Sequence, residues 1–207
     1  MVEPITAMIR SNQNLLDMVN ILLEVNCYEA GAKILTPIVC NMWEICQEVI
    51  EELQPLAQSK SLELKLTLIG DKLDPHDQLL VMGDSQELRR MITNLVGNSL
   101  KFTDEGCVEL ALQLAPPSSE DPPTVTGWVT LALRDTGIGM SIEQQSTIFQ
   151  RYRKGSHKQS GSGLGLHLVH RIATIHQGTI QVDSEVGQGS LFTVHLPLNL
   201  VTLFSSI

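Results

Sequence analysis

The segment Gly161-Ser162-Gly163-Leu164-Gly165-Leu166 constrains this chain more than any other, because three alternating glycines run into an apolar stretch of helical period. Glycine removes the Cβ obstruction. The backbone N–H groups at the start of the following helix, expected over about Leu164–His176, are therefore open to an anion. Two common phosphate-binding folds are excluded. No Gly-Lys-Ser/Thr completes a P-loop, and the early strand and later acid of a dinucleotide fold are missing. Helical and strand-like segments are mixed along the chain without regular alternation. That predicts an α+β domain, a two-layer sandwich with helices on one face of a mixed sheet.

Residues Ile5 to about Glu29 read as a long N-terminal helix with a wide apolar face of Leu15, Leu16, Val19, Leu22, Leu23 and Val25, stopped by Gly31. So wide a stripe needs a partner helix, and pairing with the same helix of a second copy, as a weak dimer, is expected. A linker around Thr36-Pro37 leads to a second helix, Met42 to Ser59, which Pro55 is expected to bend or end. Leu62 to Leu68 alternates strictly and predicts a strand, and a short one follows near Val81-Met82. Asp84 and Glu87 have capping-box spacing and open a helix to about Phe102. Strands Cys107–Leu114 and Val125–Leu133 flank an exposed loop, Ala115–Thr124, with four prolines. A helix near Ser141–Gln150 and a polar loop, Tyr152–Ser160, precede the glycine segment. Gly178 is expected to end the helix after it, and Thr179–Ser184 and Leu191–Leu196 form a hairpin across Glu185–Ser190.

Composition narrows the function classes. The chain has 207 residues, 43% hydrophobic but only 4% aromatic, so it can bury a core and that core is aliphatic. A net charge of −9 without a basic stripe argues against nucleic-acid binding. No run of about eighteen uncharged apolar residues occurs, and the first residues lack a signal-peptide layout. No membrane contact by these residues is expected. Cys27, Cys40, Cys46 and Cys107 lack Cys-x-x-Cys spacing and read as small buried hydrophobes of a reducing cytoplasm.

Asn94, Asn98 and Lys101 stand at i, i+4 and i+7, so they point one way from their helix, with Leu88, Ile92, Leu95 and Ser99 largely around the other side. Two neutral amides and an ammonium suit a metal ion and phosphate oxygens. Taken alone, the stripe fits a solvated polar face equally well. Asp135-Thr136-Gly137-Ile138-Gly139-Met140 follows an apolar strand. Its glycines permit close backbone approach by a flat ligand, and its carboxylate can accept from an exocyclic amine. Alone it also fits an ordinary strand-to-helix turn.

In this order, the Asn-x-x-x-Asn-x-x-Lys helix, Asp-x-Gly-x-Gly, Phe149 before a polar loop, and Gly-x-Gly-x-Gly resemble the N, G1, F and G2 boxes of sensor histidine kinases. These belong to a wider class with gyrase B subunits, mismatch-repair ATPases and heat-shock chaperones of the ninety-kilodalton type. Asn94 to Thr103, Ile148 to Tyr152 and Gly187 to Phe192 favour the kinases, since the other families usually place a glutamate base at Asn94. The resemblance implies the Bergerat ATP-binding fold over residues 35–200, a partial dimerisation and phosphotransfer helix with its linker over 1–34, and a tail over 201–207. It implies ATP and Mg²⁺ as ligands. Asn98 would hold Mg²⁺, Lys101 a phosphate, and Asn94 the reacting γ-phosphate. Phe102 would pack near the base, Met140 would be among the nucleotide-binding residues, and Asp135 would accept from the adenine amine. Gly137, Gly139, Gly161, Ser162, Gly163, Leu164 and Gly165 would line the nucleotide. Arg151 and Arg153 would stabilise transferred charge, and Tyr152–Ser160 would be the mobile lid.

The resemblance further implies a homodimer in the full-length protein, which can carry a membrane anchor, and relay of the phosphoryl group to a response-regulator aspartate. A non-catalytic ATP-binding signalling module and an ATPase clamp are the alternatives. The family's acceptor histidine is followed by an acid and Arg-Thr-Pro. Only His76 precedes an acid, and it lies in a proline-containing connection; His157, His167, His170, His176 and His195 do not. The acceptor is therefore expected upstream. Incubation with labelled ATP should leave no acid-labile, base-stable label on this chain, and a stoichiometric label on His76 would overturn that expectation.

Overall fold

The structure, a computed structural model, describes residues 35–70, 78–151 and 163–198 together with the isolated helical positions 12, 19 and 23. The expected N-terminal helix as a whole, His76, Cys27, Tyr152–Ser160, Arg153, Gly161, Ser162 and the tail 201–207 lie outside the described residues.

Strand β1 (Ile38–Asn41) runs straight into helix α1 (Met42–Ser59), because the Asn41 side chain caps it by accepting from the N–H groups of Trp43 and Glu44. β2 (Glu63–Ile69) and β3 (Leu80–Gly83) follow. The Asp84 carboxylate then accepts from Gln86 and Glu87 N–H and opens helix α2 (Ser85–Phe102). β4 (Cys107–Ala115), β5 (Gly127–Asp135), the single turn α3 (Ile142–Gln145), α4 (Gly165–Ile175), β6 (Thr179–Glu185) and β7 (Gly189–Leu198) complete the order. β1 and β3 form a small antiparallel pair. The main sheet has the order β2-β4-β5-β7-β6, parallel between β2 and β4 and antiparallel elsewhere.

Register makes one face of that sheet apolar. Leu64, Val108, Leu110, Leu112, Val129, Leu131, Leu133, Phe192, Val194 and Leu196 are buried against α1, α2 and α4, whereas Glu63, Lys65, Thr67, Gln181 and Asp183 alternate onto the open face. Within the helical layer, Arg89 on α2 bonds Glu52 at 2.7 Å and also Glu48, both on α1.

α1 keeps its expected bounds, Met42 to Ser59, and does not end at Pro55. Proline removes one donor, and the Glu51 carbonyl it frees belongs to an exposed residue, so water can satisfy it. Three other local expectations are corrected. The helix expected over Ser141–Gln150 stops after one turn: the Ser146 and Thr147 hydroxyls bond Glu143 O, and the backbone closes tighter bonds such as Gln150 N–H to Thr147 O. At the end of α4 it is Gln177, φ 59°, that takes the left-handed conformation. Gly178 is needed for a different reason, since a Cβ there would lie 2.4 Å from His195 O. Finally, the described cysteines are free and Cys40 and Cys46 are buried, but Cys107 is half-exposed at the start of β4.

Candidate functional site

The polar stripe of α2 meets the start of α4. A Cβ on Gly165 would lie 3.0 Å from Asn94 Oδ1 and 3.6 Å from Asn98 Nδ2, so a side chain there would press on the Asn94 amide, and glycine lets the α4 backbone come close to both amides. Asn94 is held in place by donating from Nδ2 to Arg90 O at 2.9 Å. Gly163 turns the chain into the helix at φ 70°. The N-cap position is Leu164, whose buried side chain makes no capping hydrogen bond. A helix start has four N–H groups without intrahelical partners and a partial positive charge. Here they border two neutral amides, which is a setting for an anion. One turn on from Asn98, Lys101 lies 5.1 Å from the centre of the Phe102 ring, and partial burial lowers its pKa.

Asp135 ends β5 on the buried side. It occupies the inward row that begins Val129, Leu131, Leu133, paired with Val108 on one flank and Ser190 on the other. Its Oδ1 accepts from Gly137 N–H at 3.0 Å and Ser190 N–H at 3.2 Å, and its Oδ2 accepts from the Ser99 hydroxyl at 3.0 Å. The residue is only 6% exposed, and burial raises its pKa despite these donors. A carboxylate so placed has a polar ligand's acceptor ready at the edge of an apolar layer.

The glycines beside it answer first to the protein's own backbone. A Cβ on Gly137 would sit 2.5 Å from Phe102 O, and one on Gly139 (φ 64°) only 1.9 Å from Glu185 O. Ile138 N–H donates to Phe102 O at 3.2 Å, and Met140 N–H to Ser184 Oγ at 2.9 Å. The Asp135 loop is thus clamped between the end of α2 and the β6–β7 hairpin.

Phe149 is fixed by α4: His167 Nδ1 is 2.9 Å from its carbonyl oxygen, and its ring packs tilted against His170 at 5.8 Å between centres. Arg151 is half-buried just beyond. The structure thus gathers Asn94, Asn98 and Gly165 at one point, and Phe102, Asp135 and Gly137 at another. Leu164 and Gly163 form the α4 start, and Met140 rests on the hairpin. Sequence reasoning missed Ser99 and Ser190 as partners of Asp135. The signal for Ser99 was available, because a serine on the apolar side of α2 needs a polar partner.

Gly97 lies on the same stripe, three residues after Asn94, and nothing lies within 4 Å of where its Cβ would be. Interior helix glycine is destabilising by roughly 0.5–1 kcal/mol against alanine. Gly97→Ala should therefore stabilise the unliganded chain by about that amount in a urea titration. A destabilised variant would show that the position is constrained by the fold after all.

Among the described residues no helix is long and apolar enough to cross a membrane. Residues 83–200 match the family described as histidine kinase-, DNA gyrase B- and HSP90-like ATPase. The sensor protein GacS of Pseudomonas syringae pv. syringae is 34% identical over 193 residues, covering 91% of this chain and 20% of that protein. The signal transduction histidine-protein kinase BarA of Escherichia coli (strain K12) is 33% identical over 195 residues, covering 92% and 20%. The chain therefore spans about a fifth of the length of these curated relatives. Among solved structures, full-length ShkA in complex with AMPPNP superposes with a TM-score of 0.75 at 26% identity, covering 95% of this chain and 38% of that one. The catalytic domain of histidine kinase ThkA, at 20% identity and TM-score 0.61, covers 78% of this chain and 95% of its own and shares the fold.

Proposed function

This chain belongs to the histidine kinase-, DNA gyrase B- and HSP90-like ATPase family, among the sensor histidine kinases, and on that premise we propose that it binds ATP and transfers the γ-phosphate to a histidine of a phosphotransfer helix. A response-regulator aspartate receives the phosphoryl group next, in the cytoplasm, and the full-length kinase works as a homodimer. Residues 35–200 form the catalytic domain in this reading, following a partial phosphotransfer helix and linker. The observation that carries it is the close approach of the α2 amides to the start of α4 at Gly165.

Adenine sits against the Asp135 loop, its amine donating to the carboxylate, while the phosphates extend toward Gly163, Leu164 and Gly165, with Gly161 and Ser162 just before them. Mg²⁺ keeps several waters and takes substrate phosphates besides one or two protein ligands, usually carboxylates; the Asn94 and Asn98 amides beside Gly165 offer neutral oxygens for that place. Asn98 would supply such an oxygen, and the ion would neutralise phosphate charge. Asn94 orients the γ-phosphate. Lys101 adds a cation to the phosphates, and Arg151 and Arg153 stabilise charge on the group in flight. In this reading Tyr152–Ser160 are assigned the role of the lid that the family resemblance implies.

Calorimetric titration with a non-hydrolysable ATP analogue and with adenosine tests this reading. The wild type should bind the analogue more tightly, and Lys101→Ala should lose affinity for the analogue by about tenfold while adenosine binding stays the same. Equal losses for both would make Lys101 a structural residue, and no binding by the wild type would overturn the proposal.

A further inference from the structure

The end of α2 is held by the residue that caps α1, which none of the motifs includes. Lys60 Nζ donates to Leu100 O at 2.6 Å, Thr103 O at 2.6 Å and Lys101 O at 3.3 Å. A helix leaves its last four carbonyls without intrahelical partners, and in α2 they are accounted for. Ser99 O accepts from the Thr103 N–H at 3.0 Å and hydroxyl at 2.7 Å. Leu100, Lys101 and Thr103 carbonyls accept from Lys60. Phe102 O accepts from Ile138 N–H, in the middle of the Asp135 loop. That same oxygen is the atom that forbids a side chain on Gly137. One ammonium and one loop amide thus share a single helix terminus. Phe102 O shares a peptide plane with the Thr103 N–H, which donates to Ser99 O, and Lys60 braces that plane by holding the carbonyls before and after it.

Lys60 is itself well anchored. Its N–H closes α1 by donating to Ala57 O at 3.1 Å, and Ser61 after it turns the chain at φ 56°. The cation also complements the negative end of the α2 dipole. Its approach to Asp104, 3.9 Å from a largely exposed carboxylate, adds little. The three carbonyl bonds, which are charge-assisted and partly buried, dominate its surroundings.

We propose that Lys60 is a positioning residue for the nucleotide site: it fixes Phe102 O as the seat of the Asp135 loop and so sets Asp135 against Lys101 and Phe102. This rests on the proposed function for its consequence, but not for its geometry, and two measurements separate them. The first is amide hydrogen exchange by NMR on the full chain without nucleotide. Lys60→Met keeps the side chain's length and removes its donors, so the Ile138 amide should exchange about tenfold faster, the effect of one ordinary hydrogen bond, while the β6–β7 hairpin amides keep their protection. The second is affinity for a non-hydrolysable ATP analogue, which should weaken in Lys60→Met by about the same factor and recover in Lys60→Arg, which retains a cationic donor. Unchanged Ile138 exchange, unchanged affinity, or a general loss of protection in which Ile138 is not singled out would each overturn the proposal. If Lys60→Met does not fold, Lys60→Gln, which keeps one donor pair, is read by the same two criteria. Failure of the wild type to bind the analogue overturns the proposed function instead, and the exchange measurement still decides the role of Lys60.

Discussion

Asp135→Asn should leave the unliganded fold intact and weaken ATP binding by about 10–150-fold, the range expected for losing a hydrogen bond to a charged group. The site tolerates the amide well. Its oxygen can keep accepting from Gly137 and Ser190 N–H, and its NH₂ can donate to Ser99, whose hydroxyl reverses its role. What the amide cannot do is accept from an adenine amine on the side now occupied by its own hydrogens. Removing the charge also changes the response to pH. Burial raises the Asp135 pKa above the ordinary 3.8. Between that value and the raised one the native chain holds more protons than the unfolded chain, so its stability falls as pH rises through this window. Above the window the ionised carboxylate opposes folding in full. Thermal unfolding of the unliganded variant near pH 7 should therefore match or exceed the wild type. Calorimetry checks the binding half, and an analogue affinity unchanged in Asp135→Asn would remove Asp135 from the adenine site.

Asn98→Asp should lower the rate of phosphoryl transfer by about 10²–10³-fold, the usual scale for spoiling one preorganised electrostatic contact. The substitution is isosteric, so packing beside Gly165 is preserved, with Asn98 Nδ2 and the Gly165 Cβ position 3.6 Å apart. Charge changes, and the Nδ2 donor becomes an acceptor oxygen. A carboxylate about 4 Å from a phosphate oxygen, in surroundings of intermediate polarity, is repelled by about 4 kcal/mol. Any gain in metal attraction binds the ion to the protein without restoring the neutral ligand that lets phosphates share it. Transfer from labelled ATP to a supplied phosphotransfer helix pair is the assay, run across a magnesium series. A rate within a few-fold of wild type, or full recovery at high magnesium, would remove Asn98 from its assigned role.

Much of this was readable in the chain because it obeys a local period. Asp135 lies two residues beyond Leu133 in the row Val129, Leu131, Leu133, so alternation alone turns its carboxylate inward. The amide stripe of α2 follows from helical spacing in the same way. What had no local period could not be read. Lys60 reaches carbonyls 40 to 43 residues away at the end of α2, and nothing around Ser59-Lys60-Ser61 announces it. His176 likewise accepts from Asp84 N–H at 3.0 Å through Nε2, with its Nδ1 2.8 Å from Ile172 O, tying the end of α4 to the start of α2 across 92 positions. β1 escaped notice because four residues after a proline offer too short a pattern, and only its pairing with β3 defines it.

The order of strands in the main sheet has a kinetic meaning. β4 with β5 and β6 with β7 are neighbours in sequence, so each pair closes a short loop and can zip quickly. The β2–β4 pairing must instead wait for α2 to be laid between its strands, and β5–β7 joins Gly127 to Leu198. Asn94 and Asn98 ride in the first of these slow crossovers, while Asp135 belongs to a fast hairpin and reaches Ser190 only through the second. No partly folded species with a single crossover holds both the α2 amides and the Asp135–Ser190 bond in place. A ligand that needs both has nothing to grip until both crossovers are closed. It therefore lengthens the lifetime of the native state and leaves the speed of reaching it untouched.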